Sequence, residues 1–265
     1  MILQKKNKTW LYVLLVTLVA CTPLYKLEKN KKPTFYIIGD STVRNGDGTG
    51  KNQQWGWGSF MANYFDTTKI SIRNDAIGGR SSRTFITEGR WDKIMANLKE
   101  GDYVIMQFGH NDSGPLDDTA RARGTIRGVG GESKEIYNPI MKKQEVVHSY
   151  GWYMRKYIHD TKSKGAIPIV CSPIPRNDWK EGKVIRSTDS YAKWAKEVAT
   201  SEDAYFIDLN ELVASKYEEM GVDKVNPFFP VDHTHTNIDG AKINVEIVVN
   251  ALKTIKPKEL DKYLN

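Results

Sequence analysis

Cysteine is scarce in this chain of 265 residues, which contains only Cys21 and Cys171. A fold with so few thiols cannot depend on a framework of disulfide bonds. Cys171 follows an apolar run at 167–170, so we expect it to be a small buried hydrophobic side chain. Residues 34–265 are numerous enough to bury one sizeable core, and we expect them to form a single domain held together by packing.

A hydrophobic run long enough to cross a bilayer is also missing from the sequence. The apolar run at 10–20 is interrupted by Thr17, and it is shorter than the roughly 20 residues that a spanning helix needs. Its small residues near the end, and the three lysines before it, are typical of a secretory signal peptide: Lys5, Lys6 and Lys8.

The end of this apolar run, Leu18-Val19-Ala20-Cys21, resembles a bacterial lipobox. It predicts a lipoprotein signal peptide at 1–21, which ends at a lipidated Cys21, followed by a tether at 22–33. A plain signal peptide with an unmodified Cys21 is the alternative. We therefore expect an exported protein in the periplasm or at the cell surface, with the membrane as a partner through an N-terminal lipid anchor.

Strong charge of one sign is absent from the expected domain. The formal net charge of +7 falls to about +4 without Lys5, Lys6 and Lys8. A nucleic-acid-binding protein would concentrate its basic residues in a stripe, so we expect no nucleic acid partner. A mildly basic surface is compatible with an acidic polysaccharide.

Short apolar runs alternate with longer amphipathic stretches from residue 34 onward. The runs predict five strands at 35–38, 70–76, 103–108, 167–171 and 205–207. Apolar residues at helical spacing predict helices at 91–98, 146–164, 187–199, 209–219 and 238–252. This alternation favours an α/β fold, a parallel sheet of five strands between two layers of helices.

Residues 112–143 do not fit the alternation. They are rich in glycine and carry Arg121, Arg123 and Arg127. Because they follow the third predicted strand, they should lie at the same edge of the sheet as residues that follow the first strand. We interpret them as part of a substrate cleft, and a mobile surface insertion is an equally compatible interpretation.

Asp232 and His235 lie three residues apart near the end of the chain. A carboxylate at that offset can accept a proton from one imidazole nitrogen, which leaves the other nitrogen free to activate a hydroxyl. Ser41 follows the first predicted strand and can supply that hydroxyl. If the three groups meet, the chemistry is acyl transfer on an ester.

Four short motifs occur in order along the chain, each beside a predicted strand or helix. They are Gly39-Asp40-Ser41-Thr42, Gly78-Gly79-Arg80-Ser81, Gly109-His110-Asn111-Asp112 and Asp232-His233-Thr234-His235. Together they resemble the SGNH (GDSL) hydrolase superfamily, and more narrowly its rhamnogalacturonan acetylesterase branch. The Gly-x-Ser-x-Gly motif of ordinary α/β-hydrolases is absent. The resemblance implies a flavodoxin-like three-layer fold.

The resemblance also assigns roles to individual residues. Ser41 would be the nucleophile, His235 the base and Asp232 the group that orients His235. The backbone N–H groups of Ser41 and Gly79 and the side-chain amide of Asn111 would form the oxyanion hole. The implied activity is the removal of acetyl groups from a pectic polysaccharide, rhamnogalacturonan above all, with no cofactor and no metal.

Candidate substrate-binding residues come from the basic and aromatic side chains near these motifs. Guanidinium groups match the planar carboxylates that a galacturonate-containing polymer presents, and Trp179 is expected to form a wall of the cleft. The candidates are Arg80, Arg83, Arg121, Arg123 and Trp179. A solvated basic loop is the alternative for the arginines.

Other functions stay open at this stage. The same groups could act on acetylated xylan, a lipid or a thioester, or the chain could be a non-catalytic lipoprotein that binds glycan. His233 and His235 could form one arm of a metal site, but no third ligand lies nearby in the sequence.

Overall fold

The computed structural model describes residues 32–50 and 52–265, and the folded unit runs from Pro33 to Asn265. The signal peptide expected at 1–21, with its lipidated Cys21, lies outside the described residues, as does all but the end of the tether expected at 22–33. Within the two described ranges, no helix combines the length and the apolarity that crossing a membrane requires.

A parallel sheet of five strands forms the centre of the unit. Its strands are β1 (Thr34–Gly39), β2 (Ser71–Asn74), β3 (Tyr103–Gln107), β6 (Ile167–Cys171) and β9 (Tyr205–Ile207). They lie in the order β2-β1-β3-β6-β9, and every neighbouring pair is parallel. All five overlap the strands predicted from the sequence. The inner strands β1, β3 and β6 are apolar and buried, because a strand covered on both faces needs apolar side chains on both, whereas the edge strand β2 has no fully buried residue.

Helices cover both faces of the sheet. They are α1 (Ser82–Thr87), α2 (Arg90–Met95), α3 (Tyr150–Ser163), α4 (Tyr191–Ser201), α5 (Leu209–Met220), α6 (Val222–Val225) and α7 (Ile238–Ile255), with 3-10 turns at Trp57–Tyr64, Asn226–Phe228 and Leu260–Tyr263. Side chains of α5, α7 and the first 3-10 turn share one core cluster with alternate residues of β1, β3 and β6. Side chains of α1 to α4 share the cluster on the opposite face. The predicted three-layer α/β/α fold is confirmed.

Two antiparallel hairpins lie outside the sheet. The larger joins β4 (Ser133–Asn138) to β5 (Lys143–His148), and the smaller joins β7 (Trp179–Lys180) to β8 (Lys183–Val184). The prediction for residues 112–143 missed β4, and the helix predicted from residue 146 was too long, because 146–148 belong to β5. The helix α3 begins after Ser149, whose side chain accepts a hydrogen bond from the backbone N–H of Trp152. This cap fixes the helix start.

The carboxyl ends of the central strands carry the segments that the sequence singled out. Ser41 follows β1, the Gly78-Gly79 turn follows β2, and Asn111 follows β3. In an open parallel sheet, loops at this edge form the binding crevice. The fold therefore brings residues that are far apart in the chain to one edge of the sheet.

Candidate active site

Ser41 lies in the turn that follows β1, and buried hydrogen bonds hold this turn in place. The carboxylate of Asp40 is buried and accepts from the backbone N–H of Thr42 at 2.9 Å and from its hydroxyl at 2.7 Å. Gln107 of β3 donates to the same Thr42 hydroxyl at 2.6 Å. The residue beside Ser41 is thus tied to two neighbouring strands, which holds the serine at the sheet edge.

His235 bridges Ser41 and Asp232. Its Nε2 lies 2.7 Å from the Ser41 hydroxyl, and its Nδ1 lies 2.7 Å from Oδ2 of Asp232. The other oxygen of Asp232, Oδ1, accepts from the backbone N–H groups of Thr234 at 2.7 Å and His235 at 2.8 Å. An ionised carboxylate only accepts hydrogen bonds, so Nδ1 of His235 carries the proton and Nε2 is the acceptor for the serine hydroxyl.

The environment of Asp232 keeps its carboxylate ionised. Partial burial raises its pKa, but the hydrogen bonds from the His235 side chain and from the two backbone N–H groups outweigh this and lower the pKa to about 2. Hydrogen bonds to the charged form favour that form. The imidazole of His235 therefore faces a negative charge at any pH at which the protein operates.

Gly79 and Asn111 lie beside Ser41 in the same pocket. The side-chain amide of Asn111 donates one hydrogen to the carbonyl of Arg80 at 3.0 Å, and an amide carries a second hydrogen. Gly79 has a φ of +80°, a backbone conformation that a residue with a Cβ atom rarely adopts. The Gly79-Arg80 turn is held on its other side by Arg123, which donates to the Gly79 carbonyl at 3.2 Å.

The pocket around these groups has a volume of about 380 Å³. Ser41, Gly79, Asn111 and His235 line it together with Asn45, Gly78, His110, Arg121, Arg123, Arg176 and Thr234. The predicted catalytic and oxyanion residues thus line one pocket, with one exception. Asp232 lies behind His235 and is not part of the lining.

The mouth of the pocket is basic. Arg121, Arg123 and Arg176 contribute three guanidinium groups, and no acidic residue belongs to the lining that the described residues form. Burial, followed by the charge of Arg121, lowers the pKa of Arg123. An anion bound between the exposed Arg121 and the half-buried Arg123 would offset the repulsion between their guanidinium groups.

Two of the predicted substrate-binding residues, Arg121 and Arg123, thus line the pocket, and Arg83 does not. The Arg83 side chain is fully buried and pairs with Glu145 of β5 at 2.6 Å. It also donates to the carbonyls of Leu116 and Gly124 at 2.8 and 2.9 Å. Arg83 does not reach the pocket as predicted, because all three nitrogens of its guanidinium hold the 113–125 loop and the hairpin against α1.

Arg80 and Trp179 also lie outside the pocket lining. The Arg80 guanidinium donates to Glu88 at 3.0 Å and to the Gly78 carbonyl at 3.0 Å. The Trp179 ring packs against the core cluster on the α5 and α7 face, and its indole N–H donates to Asn177 at 2.7 Å. Neither side chain is placed to contact a substrate at Ser41.

Arg176 and His110 are pocket residues that the sequence reasoning did not select. Arg176 follows β6, and the rule that placed Ser41 and Asn111 at the sheet edge could have found it. Burial lowers the pKa of His110, and its buried Nε2 has no hydrogen-bond partner. A neutral His110 adds no positive charge beside His235.

His233 and His235 point to different partners. His233 pairs with Asp178 at 2.7 Å and approaches Arg176 at 3.4 Å, whereas His235 faces Asp232 and Ser41. Among residues 32–50 and 52–265, no group of three or more metal-ligating side chains lies close enough together to hold a metal ion.

The model of the GDSL-like lipase/acylhydrolase family matches residues 37–243. The chain belongs to this family. The predicted superfamily is therefore confirmed, and with it the expectation of a carboxylic ester hydrolase.

Among similar proteins, the rhamnogalacturonan acetylesterase of Emericella nidulans is 33% identical over 88% of this chain and 90% of its own length. The probable rhamnogalacturonan acetylesterase YesY of Bacillus subtilis is 31% identical over 83% of this chain and 92% of its own. The solved structure of YxiM from Bacillus subtilis has a TM-score of 0.67 at 27% identity; the match covers 84% of this chain and 57% of that one. An acetylxylan esterase, Axe2 of Geobacillus stearothermophilus, has a TM-score of 0.53 at 16% identity over 83% of this chain and 94% of its own, and shares the fold.

Proposed function

We propose that this protein removes acetyl groups from an acidic pectic polysaccharide, rhamnogalacturonan above all, with Ser41 as nucleophile. The observation that carries the proposal is the position of His235, 2.7 Å from both the Ser41 hydroxyl and the Asp232 carboxylate, in a pocket whose charged lining is entirely basic.

The first half of the reaction acetylates the serine. Ser41 Oγ attacks the carbonyl carbon of the acetyl ester, and its proton passes to Nε2 of His235. The negative charge on the carbonyl oxygen is stabilised by the backbone N–H groups of Ser41 and Gly79 and by the free amide hydrogen of Asn111. When the tetrahedral intermediate collapses, the C–O bond to the sugar breaks and His235 returns the proton to the departing sugar oxygen.

The second half releases acetate. A water molecule gives its proton to His235 and attacks the acetyl group on Ser41. The same three donors stabilise the second tetrahedral intermediate. Its collapse breaks the bond to Ser41 Oγ, which takes the proton from His235, and the free serine is restored. Asp232 remains ionised throughout and stabilises the imidazolium.

The choice of substrate is supported by charge and by the relatives. Two relatives more than 30% identical to this chain are named rhamnogalacturonan acetylesterases, one of them as probable. Galacturonate units give that polymer a carboxylate at regular intervals, and the three guanidinium groups at the pocket mouth match such carboxylates. Acetylated xylan lacks the repeated carboxylates, and the acetylxylan esterase shares only the fold with this chain.

Acetate release tests this function. The chain should release acetate from acetylated rhamnogalacturonan faster than from acetylated xylan, and Ser41→Ala should lower kcat by at least about 10⁴-fold. A serine-reactive phosphonate should label the parent chain at Ser41. Retention of activity in Ser41→Ala would contradict the mechanism, and a preference for xylan would contradict the substrate.

A further inference from the structure

Residues 52–56, which follow the proposed nucleophile in the chain, dock directly against the segment that carries His235. The backbone N–H of Trp55 donates to the Thr236 carbonyl at 2.7 Å, and the Thr236 hydroxyl donates to the Trp55 carbonyl at 3.2 Å. These bonds join residues next to Gln54 and next to His235. They bring the Gln54 side chain, which is 8% exposed, to the back of the Asp232 carboxylate.

Gln54 completes the set of donors to Asp232. Its Nε2 donates to Oδ2 at 3.0 Å, the same oxygen that accepts from Nδ1 of His235. The two backbone N–H groups of Thr234 and His235 hold the other oxygen. Of the side chains that donate to Asp232, Gln54 is the one that comes from outside the 232–236 segment, so it ties the carboxylate to a separate loop.

The orientation of the Gln54 amide follows from its partners. A carboxylate only accepts, so the NH₂ group of Gln54 must face Asp232 and its oxygen must face away. That oxygen accepts from the amide of Asn45 at 3.2 Å and from the amide of Asn52 at 2.8 Å. Asn52 also donates to the Asn45 oxygen at 2.9 Å. This carboxamide cluster of Asn45, Asn52 and Gln54 has one self-consistent pattern of donors and acceptors.

Asn45 joins the carboxamide cluster to the pocket, because it also lines the wall beside Ser41. It is 8% exposed, and its amide oxygen and one amide hydrogen are engaged inside the cluster. The cluster therefore connects the pocket wall with the carboxylate behind His235.

We propose that Gln54 is a positioning residue for the reaction: it holds Oδ2 of Asp232 against Nδ1 of His235 and fixes Asn45 in the pocket wall. The inference rests on the proposed roles of Ser41, His235 and Asp232. Without the Gln54 donor, the carboxylate can rotate about its side chain and accept from water, and the imidazole loses its alignment with the serine hydroxyl.

Two variants of the full-length chain test this role with a small aryl acetate as substrate. Gln54→Met keeps the length of the side chain but removes the donor, so kcat should fall by about tenfold or more while KM changes by less than about twofold. Gln54→Glu keeps the shape and adds a carboxylate next to Asp232. Two carboxylates that close cannot both be ionised without strong repulsion, so the loss of kcat in this variant should grow as the pH rises.

Gln144→Ala serves as the control, because Gln144 is an exposed glutamine on β5. The kcat of this variant should equal that of the parent. Circular dichroism at the assay temperature establishes that each variant is folded. If Gln54→Met and Gln54→Glu both keep kcat within twofold of the parent with an unchanged pH profile, the positioning role is wrong even where thermal stability falls. Loss of activity in Ser41→Ala in the same assay would show that the triad itself still stands.

Discussion

At the scale of single residues, hydrogen bonds fix the orientation of the side chains in the candidate site. Asp232 receives two donors on each oxygen, at 2.7 and 2.8 Å on Oδ1 and at 2.7 and 3.0 Å on Oδ2. Because these bonds hold its pKa at about 2, Asp232 keeps its charge down to that pH. We therefore expect any loss of activity between pH 4 and pH 7 to come from a group other than Asp232.

Asn111 provides the sharpest test of the proposed oxyanion hole. Asn111→Ala should lower kcat on an ester roughly 100- to 1,000-fold, because one donor to the oxyanion is lost. The change should leave KM on a small aryl acetate nearly unaltered, since the donor acts mainly in the transition state. Steady-state kinetics on the folded variant measures both constants.

A matched control for this substitution is Asn97→Ala. The Asn97 amide also donates to a backbone carbonyl, that of Lys93 at 2.9 Å, but Asn97 is exposed and lies outside the pocket lining. Its removal should leave kcat unchanged. A near-parental kcat in Asn111→Ala would remove Asn111 from the oxyanion hole.

At the scale of elements, the strands of the sheet could be predicted and the insertion could not. The inner strands β1, β3 and β6 are short apolar runs whose residues are almost all buried, so the sequence shows them directly. In the hairpin of β4 and β5 only alternate residues such as Ile136 and Val147 are buried, and charged residues surround them. Val147 also stands at helical spacing from Tyr150, which is why the helix was predicted to begin too early.

The insertion nevertheless has a defined position in the fold. Arg83 is fully buried and contacts both the 113–125 loop and Glu145 of β5. A buried guanidinium whose three nitrogens all donate hydrogen bonds acts as a fixed anchor. Arg121 and Arg123 are thereby carried to the pocket mouth on an anchored loop.

Neutralising the loop arginines should affect polymer and small substrates differently. In a variant with Arg121→Gln and Arg123→Gln, KM on acetylated rhamnogalacturonan should rise by about tenfold or more, because two contacts to substrate carboxylates are lost. KM on a small uncharged aryl acetate should change by less than about twofold. Arg127→Gln removes one positive charge just after this loop, but Arg127 lies over the Trp194 ring, 5.4 Å from its centroid, and outside the pocket lining. It therefore controls for the loss of a nearby charge, and KM on the polymer should change much less than in the double variant. Equal effects on the two substrates would contradict carboxylate binding.

At the scale of the whole molecule, the proposed catalytic groups come from opposite ends of the domain. Ser41 and His235 are separated by 194 positions in the sequence, and the parallel sheet brings them together at one edge. The order of the four motifs was enough to predict this meeting. It was not enough to predict which arginines face the pocket, because burial and partners decide this: Arg80 pairs with Glu88, Arg83 is buried against Glu145, and Arg123 lines the pocket. The lipidated Cys21 stays a prediction, which the mass of the mature N-terminal peptide would check.

The stability of the whole fold should depend on pH through Asp112. Burial raises its pKa from 3.8 to about 7, although Ser82 donates two hydrogen bonds to it. Below pH 4 the carboxyl is protonated in both the folded and the unfolded states. Between pH 4 and pH 7 the unfolded state ionises first, so the folded state loses stability as the pH rises, by about 4 kcal/mol in total.

Removing this carboxyl should reverse that loss. We subtract the unfolding free energy of the parent from that of Asp112→Asn at each pH. This difference should rise from pH 4 to pH 7 and then level off. The altered hydrogen bonds to Ser82 add only a constant to it. Urea denaturation across this range measures the slope. Asp118→Asn is the control, because backbone hydrogen bonds, that of Arg121 first, lower the pKa of Asp118 below 3.8. Its carboxyl is ionised in both the folded and the unfolded states over most of this range, so its difference from the parent should stay nearly flat from pH 5 to pH 7 and change only at lower pH. A flat difference for Asp112→Asn would mean that the buried carboxyl ionises in the folded protein as readily as in the unfolded chain.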